Sequence, residues 1–287
     1  MIMLKGVKKF MWVIATILAV IVIGIIIFFN IPYSKTRAEF DQTLAEKIGN
    51  SNPSEAVFTY DEIETLPIPV KRYFEYSGYI GTPKMTYMKA VFKDVDFILS
   101  PDQPGLTIDY TQYNFVSVPE RIAFIDTSMY GIPFQGFDSY VNGVGSMKGV
   151  IAKGITLFDQ RGEEMDKACL VTFLAESIVM PSAALQNYIT WEAIDDTHTR
   201  ATISYYGISA SGVFTFSENG EALSFTTNDR TLVSTDGTKQ QVAWSAMFGN
   251  YQTINGIKQP THLQAVWHYK HGDLIYFDSN HFEIEYR

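Results

Sequence analysis

The sequence predicts an α+β protein: a large curved antiparallel β-sheet, half-barrel or barrel-like, wrapping a buried helix and preceded by an N-terminal transmembrane helix. Three observations predict it. Met11 to Phe29 are nineteen consecutive residues without a charge. From Lys84 onward, apolar and polar residues alternate with period two through about twelve segments bounded by turn residues. One stretch breaks that alternation, EEMDKACLVTFLAESIVM, and it is apolar on nearly every side of a helical wheel.

The uncharged run comes first. At ~1.5 Å per residue it covers roughly 28 Å, close to the ~30 Å hydrocarbon core of a bilayer. It exceeds the about 7–15 residues of a signal-peptide core, and Asn30-Ile31-Pro32-Tyr33-Ser34 lacks the small-residue pattern of a cleavage site. A retained single-pass anchor over residues 11–30 is therefore expected in a cell membrane. Lys5, Lys8 and Lys9 precede it, which keeps residues 1–10 cytoplasmic and places the rest on the extracytoplasmic side.

Composition narrows the partners. Three of the 22 basic residues precede the run and all 31 acidic residues follow it, so the remainder carries 19 basic against 31 acidic side chains, a net −12. That balance disfavours nucleic acid and charge-driven docking on an anionic surface. The single cysteine, Cys169, cannot form an intramolecular disulfide, so the core must supply stability; 46% hydrophobic residues are ample for one.

Residues 31–56 read as a helical stem, with Phe40, Leu44 and Ile48 four apart and a break at Asn50 to Ser54. The exported α+β domain is expected over 57–287. Thr59-x-x-Glu62 forms a capping box, and Pro69 opens a helix that Gly78 ends. Alternation follows over 85–99, 106–116, 121–130, 134–141 and 145–152, with breaks at Pro101/Pro104-Gly105, Pro119-Glu120 and Asn142-Gly143. After a helix near 162–179, ended by Pro181, it resumes over 187–194, 199–206, 210–217, 221–233, 239–252, 257–269 and 274–286. Asn219-Gly220 and Asn255-Gly256 are strong hairpin signals, Asp236-Gly237 and His271-Gly272 weaker ones. A meander this wide must curl, because open sheets rarely exceed about ten strands.

Several strings occur together: LPIPVKRYFEYSG (66–78), GFDSYVNGVGSMKG (136–149), RGEEMD with LVTFLAE and MP (161–181), WEAIDDTHTRATI (191–203), TNDR (227–230) and AVWHYKHGDLIYF (265–277). In this combination, over roughly residues 57–287, the chain resembles a bacterial family of membrane-anchored or exported proteins classed only as a domain of unknown function. That resemblance implies no activity. On strand order and the enclosed helix alone, the layout is also similar to the half-barrel of periplasmic lipoprotein carriers, which hold acyl chains between sheet and helix.

Glu176 is the first candidate. With Met165 at zero on the wheel it falls near 20°, between Cys169 and Thr172 at ~100° per residue. A carboxylate there either lines a ligand pocket or forms a structural ion pair, with Arg161, Arg200 or Arg230 as partners. The residues expected to line a pocket are Glu176, Thr172, Trp191, Glu192, Arg230, Trp267 and His268. Paired Glu176 and Glu192 would instead make a cell-envelope hydrolase, the second reading; a structural or interaction module is the third. Asp195 and Asp196 read as a solvated turn. His268 and His271 are three apart on a strand and point to opposite faces, so no metal is expected, and no cofactor or catalytic residue is assigned. Gly143-Val-Gly-Ser-Met-Lys-Gly149 matches neither phosphate-loop template. Buried among Ala168 and Leu170, Cys169 is expected to be inert. The preferred reading is a membrane-anchored extracytoplasmic protein that binds an apolar or amphipathic ligand such as a lipid.

Overall fold

The computed structural model describes residues 2–51, 54–99, 104–233 and 237–287. Helix α1 (Ile2–Asn30) is continuous, and no side chain of its most apolar window is buried. It is long and apolar enough to cross a membrane. Its C-terminal end is capped from elsewhere in the chain: the Lys153 ammonium donates to the carbonyls of Phe28 (3.1 Å) and Ile31. A cation at a helix C-terminus meets the negative end of the macrodipole.

Helix α2 (Lys35–Gly49) begins at Ser34, whose hydroxyl accepts the Arg37 N–H at 3.0 Å. Expected as a stem, α2 is instead folded onto the sheet. Phe40 is buried with ring centroids 5.6 Å from Phe124 and 6.0 Å from Phe137, and Lys47 pairs with Glu120 at 2.7 Å. Of the break expected at Asn50 to Ser54, Asn52 and Pro53 lie outside the described residues, as do Pro101 and Asp236 of the other breaks.

Two short helices follow, α3 (Tyr60–Ile63) and α4 (Ile68–Ser77). The Thr59 N–H donates to Glu62 at 3.1 Å, completing one half of the capping box. Pro69 sits in the first turn of α4, and Gly78 closes it with φ +79°.

The chain then lays down a first meander: β1 (Tyr87–Phe97), β2 (Leu106–Phe115), β3 (Glu120–Met129), β4 (Ile132–Val141), β5 (Val144–Ile151) and β6 (Ile155–Arg161). Helix α5 (Glu163–Glu176), a 3₁₀ turn (Ser177–Val179) and α6 (Pro181–Ala184) come next. A second series comprises β7 (Ile189–Ala193), β8 (His198–Tyr205), β9 (Ile208–Phe216), β10 (Ala222–Thr227), β11 (Thr231–Val233), β12 (Lys239–Gln241) and β13 (Ala243–Gly249). It continues through β14 (Gln252–Ile254), β15 (Ile257–Gln259), β16 (His262–Tyr269), β17 (Gly272–Ser279) and β18 (Phe282–Tyr286).

The main sheet is antiparallel, in the order β6-β5-β4-β3-β2-β1-β17-β16-β13-β10-β9-β8-β7. Strand β1 pairs with β18 at Met88 to Phe92 and with β17 at Asp96 and Phe97, the switch falling at a bulge where Asp94 has φ +51°. The two outermost strands, β6 and β7, flank the helical segment, so α5 and α6 carry the chain from one sheet edge to the other.

Geometry then requires curvature. Strands β5 and β9 are nine positions apart, roughly 43 Å in a flat sheet at ~4.8 Å per strand. Yet α5, about 10 Å across, packs against both. The sheet therefore curls around α5, whose Leu170, Val171, Phe173 and Leu174 are fully buried. Helix α4 closes the far end, with the Tyr73 hydroxyl donating to the Ile178 carbonyl at 2.6 Å.

The Gly143-to-Gly149 run has a packing reason. A Cβ on Gly145 would lie 2.5 Å from the Met165 carbonyl oxygen, and its N–H donates to the Asp166 carboxylate at 2.6 Å. The missing side chain lets the first turn of α5 lie against β5.

Some elements differ from expectation. Strand β6 lies where none was expected, its apolar residues Ile155 and Leu157 being exposed at a sheet edge. The segments 221–233, 257–269 and 274–286 are each divided into two strands, and 239–252 holds β12, β13 and the first residue of β14. Pro181 does not end the long helix, which stops at Glu176, but opens α6.

Candidate ligand cavity

A cavity of about 300 Å³ lies between α5 and the concave faces of β1 to β3, β13, β16 and β17. Its walls are mostly apolar, with Phe92, Leu232, Phe248 and Phe277 among them. Period-two alternation puts Trp244 and Trp267 on this face. From α5 come Cys169, Thr172 and Glu176, at i, i+3 and i+7 on one side of the helix.

The polar end of the cavity is built on Arg121, whose side chain is only 3% exposed. On β3, Ile122 and Phe124 face α2 while Arg121, Ala123 and Ile125 face inward, so this strand is buried on both sides. Arg121 Nη1 donates to Asp138 Oδ2 at 2.6 Å and Nε to Glu176 Oε2 at 3.3 Å. Nη2 donates to the Tyr110 hydroxyl at 2.8 Å. Asn114, opposite Arg121 in the β2–β3 register, donates to Glu176 Oε2 at 2.7 Å, and Gln112 donates to Asn114 at 2.6 Å. Burial alone would weaken the arginine's charge, but Asp138 and Glu176 outweigh it and hold Arg121 firmly protonated. Burial also pushes the Tyr110 hydroxyl and the Cys169 thiol above their ordinary ranges, keeping both neutral.

A second guanidinium sits apart from this cluster. Arg230 follows β10, with its carbon 4.5 Å from the Trp244 ring and 5.5 Å from the Trp267 ring. Its Nη1 donates to Thr172 Oγ1 at 2.6 Å. The neighbouring Asp229 is turned to Lys167 (2.9 Å) and to the Ser211 N–H (2.8 Å).

Of the seven candidates, the structure brings Glu176, Thr172, Arg230 and Trp267 to this one cavity. The other three do not line it. Trp191 packs on Phe214 and donates to the Ala184 carbonyl at 2.9 Å. Glu192 is on edge strand β7 with its side chain 76% exposed, facing Arg200, so it shares no cavity with Glu176. His268, on the opposite face from Trp267, bonds to Ser245 and Asp273, each at 2.8 Å. The partner of Glu176 is none of Arg161, Arg200 or Arg230 but Arg121. The signal for it lay in the inward positions of β2 and β3, where Gln112, Asn114 and Arg121 interrupt an apolar face.

Residues 56–279 match the model of a family described as a family of unknown function (DUF6544). No curated protein matches the chain. Among solved structures it is similar to a LolA superfamily protein from Nitrosomonas europaea, at 12% identity and a TM-score of 0.41, over 76% of this chain and 93% of that one. It is also similar to a DUF1329 family protein from Desulfovibrio piger, at 12% identity and a TM-score of 0.29, with the same coverage.

Proposed function

The chain belongs to the DUF6544 family, whose description assigns no activity, and from that premise we propose that it is a membrane-anchored extracytoplasmic protein that binds an amphipathic, lipid-like ligand in the cavity beside α5. One observation carries the reading: the cavity joins a large apolar wall to a few polar groups at defined positions, the composition of small-molecule sites. Helix α1 is the membrane anchor in this reading, its uncovered apolar surface matched by acyl chains, and Lys5, Lys8 and Lys9 hold the N-terminus in the cytoplasm. A hydrolase using Glu176 with Glu192 has no support in the geometry, since the two carboxylates face different surroundings.

Trp244 and Trp267 provide the test. The full chain carrying Trp12→Phe, in lipid nanodiscs, is titrated with 12-bromododecanoic acid, whose bromine quenches nearby indoles. Saturable quenching that disappears when Trp244 and Trp267 are both replaced by Phe is the expected result. Quenching that never saturates, or that survives the double replacement, overturns the reading. Topology is checked separately with an impermeant maleimide on intact cells expressing Asn255→Cys in a Cys169→Ser background. Labelling is expected, and protection until lysis reverses the orientation.

A further inference from the structure

Building on the lipid-cavity reading, we propose that Arg230 receives the anionic head group, carboxylate or phosphate, of the molecule whose chain lies along the apolar wall. The cavity's two guanidinium groups are in opposite situations. Arg121 is committed to Asp138, Glu176 and Tyr110. Arg230 makes no ion pair among the described residues, and one hydrogen bond, to Thr172, uses one of its five N–H donors. The carboxylates that adjoin Arg230 or line its cavity are occupied elsewhere: Asp229 by Lys167 and Ser211, Glu176 by Arg121 and Asn114, Asp138 by Arg121 and Glu164 by Lys239.

A cation lining an apolar cavity without a counterion is costly, and an incoming anion relieves that cost. The position of Arg230 favours such a ligand. Trp244 and Trp267 lie within cation–π range of its guanidinium, and Thr172 holds one end of the fork. The remaining N–H groups suit the two oxygens of a carboxylate or phosphate, which a fork binds bidentately and a point charge does not. Leu232, two residues on, Phe248 on β13 and Phe277 on β17 line the same space for the chain.

The experiment compares 12-bromododecanoic acid with 12-bromododecanol in the nanodisc quenching assay, on Trp12→Phe protein with and without Arg230→Gln. A charged hydrogen bond is worth about 1.5–3 kcal/mol, so the acid should bind on the order of ten- to a hundredfold tighter than the alcohol. Arg230→Gln should bring the acid down to the alcohol's affinity and leave the alcohol unchanged. Arg230→Lys, which keeps the charge but loses the fork, should recover part of the preference. Competition by dodecanoate against dodecyl phosphate then identifies which anion is preferred, and dodecyltrimethylammonium should not compete. Equal binding of acid and alcohol to the unmodified site overturns the head-group assignment while leaving the lipid reading in place. Equal loss of both ligands in Arg230→Gln overturns it too, making Arg230 a structural residue. No saturable quenching by either probe removes the lipid reading itself.

Discussion

Arg121 Nε and Glu176 Oε2, 3.3 Å apart, tie the third strand of the sheet to the last turn of the helix it encloses. Glu176 is therefore both a lining group of the cavity and half of a structural ion pair, the two roles its position in the sequence left open. The arginine is the member on which the others depend, because Asp138 and Glu176 share it.

That asymmetry sets an order of effects. Arg121→Gln leaves two carboxylates facing one another without a cation and should destabilise by about 3–5 kcal/mol. Glu176→Gln leaves Arg121 paired with Asp138 and should cost about 1–2 kcal/mol. Adding Glu176→Gln to Arg121→Gln should restore part of the loss. Urea unfolding of the detergent-solubilised chain measures all three, and a Glu176→Gln loss larger than that of Arg121→Gln would contradict this arrangement.

The enclosed helix makes a second prediction. Phe173 and Leu174 point to different sides of α5, and both are fully buried. Phe173→Ala should cost about 3–5 kcal/mol and Leu174→Ala about 2–5 kcal/mol. Thermal melts check the pair. If either variant melts with the parent, one side of α5 is open and the curled sheet does not surround it.

Cys169 reports on access to the cavity. The residue is 4% exposed, and burial, reinforced by the Asp138 charge, pushes the thiol's pKa well above the ordinary value. Only the thiolate reacts, so alkylation of the folded protein should stay slow from pH 7 to pH 9 and become complete within minutes in denaturant. Stopped-time labelling read by mass spectrometry tests this. Rapid native labelling at pH 8 would show that the cavity opens to solvent around α5.

Much of the fold was legible because it rests on periodicity. The all-round apolar helix required a wrapping sheet, and alternation located most strands to within a few residues. Strand β6 was missed because Ile155 and Leu157 are exposed at an edge, so its pattern carries no burial signal. Type I′-like turns at Tyr130-Gly131 and Tyr206-Gly207, with φ near +50° on the tyrosines, were missed because tyrosine is not an expected residue there. The site was only half legible. Wheel position led to Glu176 and Thr172 and strand alternation to Trp267, while Arg230 entered as an expected partner of Glu176, a pairing the structure gives to Arg121. Arg121 meets Glu176 across 55 residues of chain, and that meeting depends on how far the sheet curls, which no local pattern encodes. Glu192 and His268 failed for the complementary reason: chemistry-bearing side chains on strands have an even chance of facing away.

The docking of α2 bears on how far this protein can travel. Only Ile31 to Ser34 separate α1 from α2, and four residues span at most roughly 14 Å when extended. With Phe40 seated on the sheet and Lys153 holding the end of α1, there is no slack to lengthen that distance. On the proposal that α1 anchors the chain in a bilayer, the domain is a fixed station and not a ferry. On the same proposal, any ligand it holds would be exchanged with the leaflet beneath it or with a visitor that comes to it, and delivery to a second membrane would fall to another molecule.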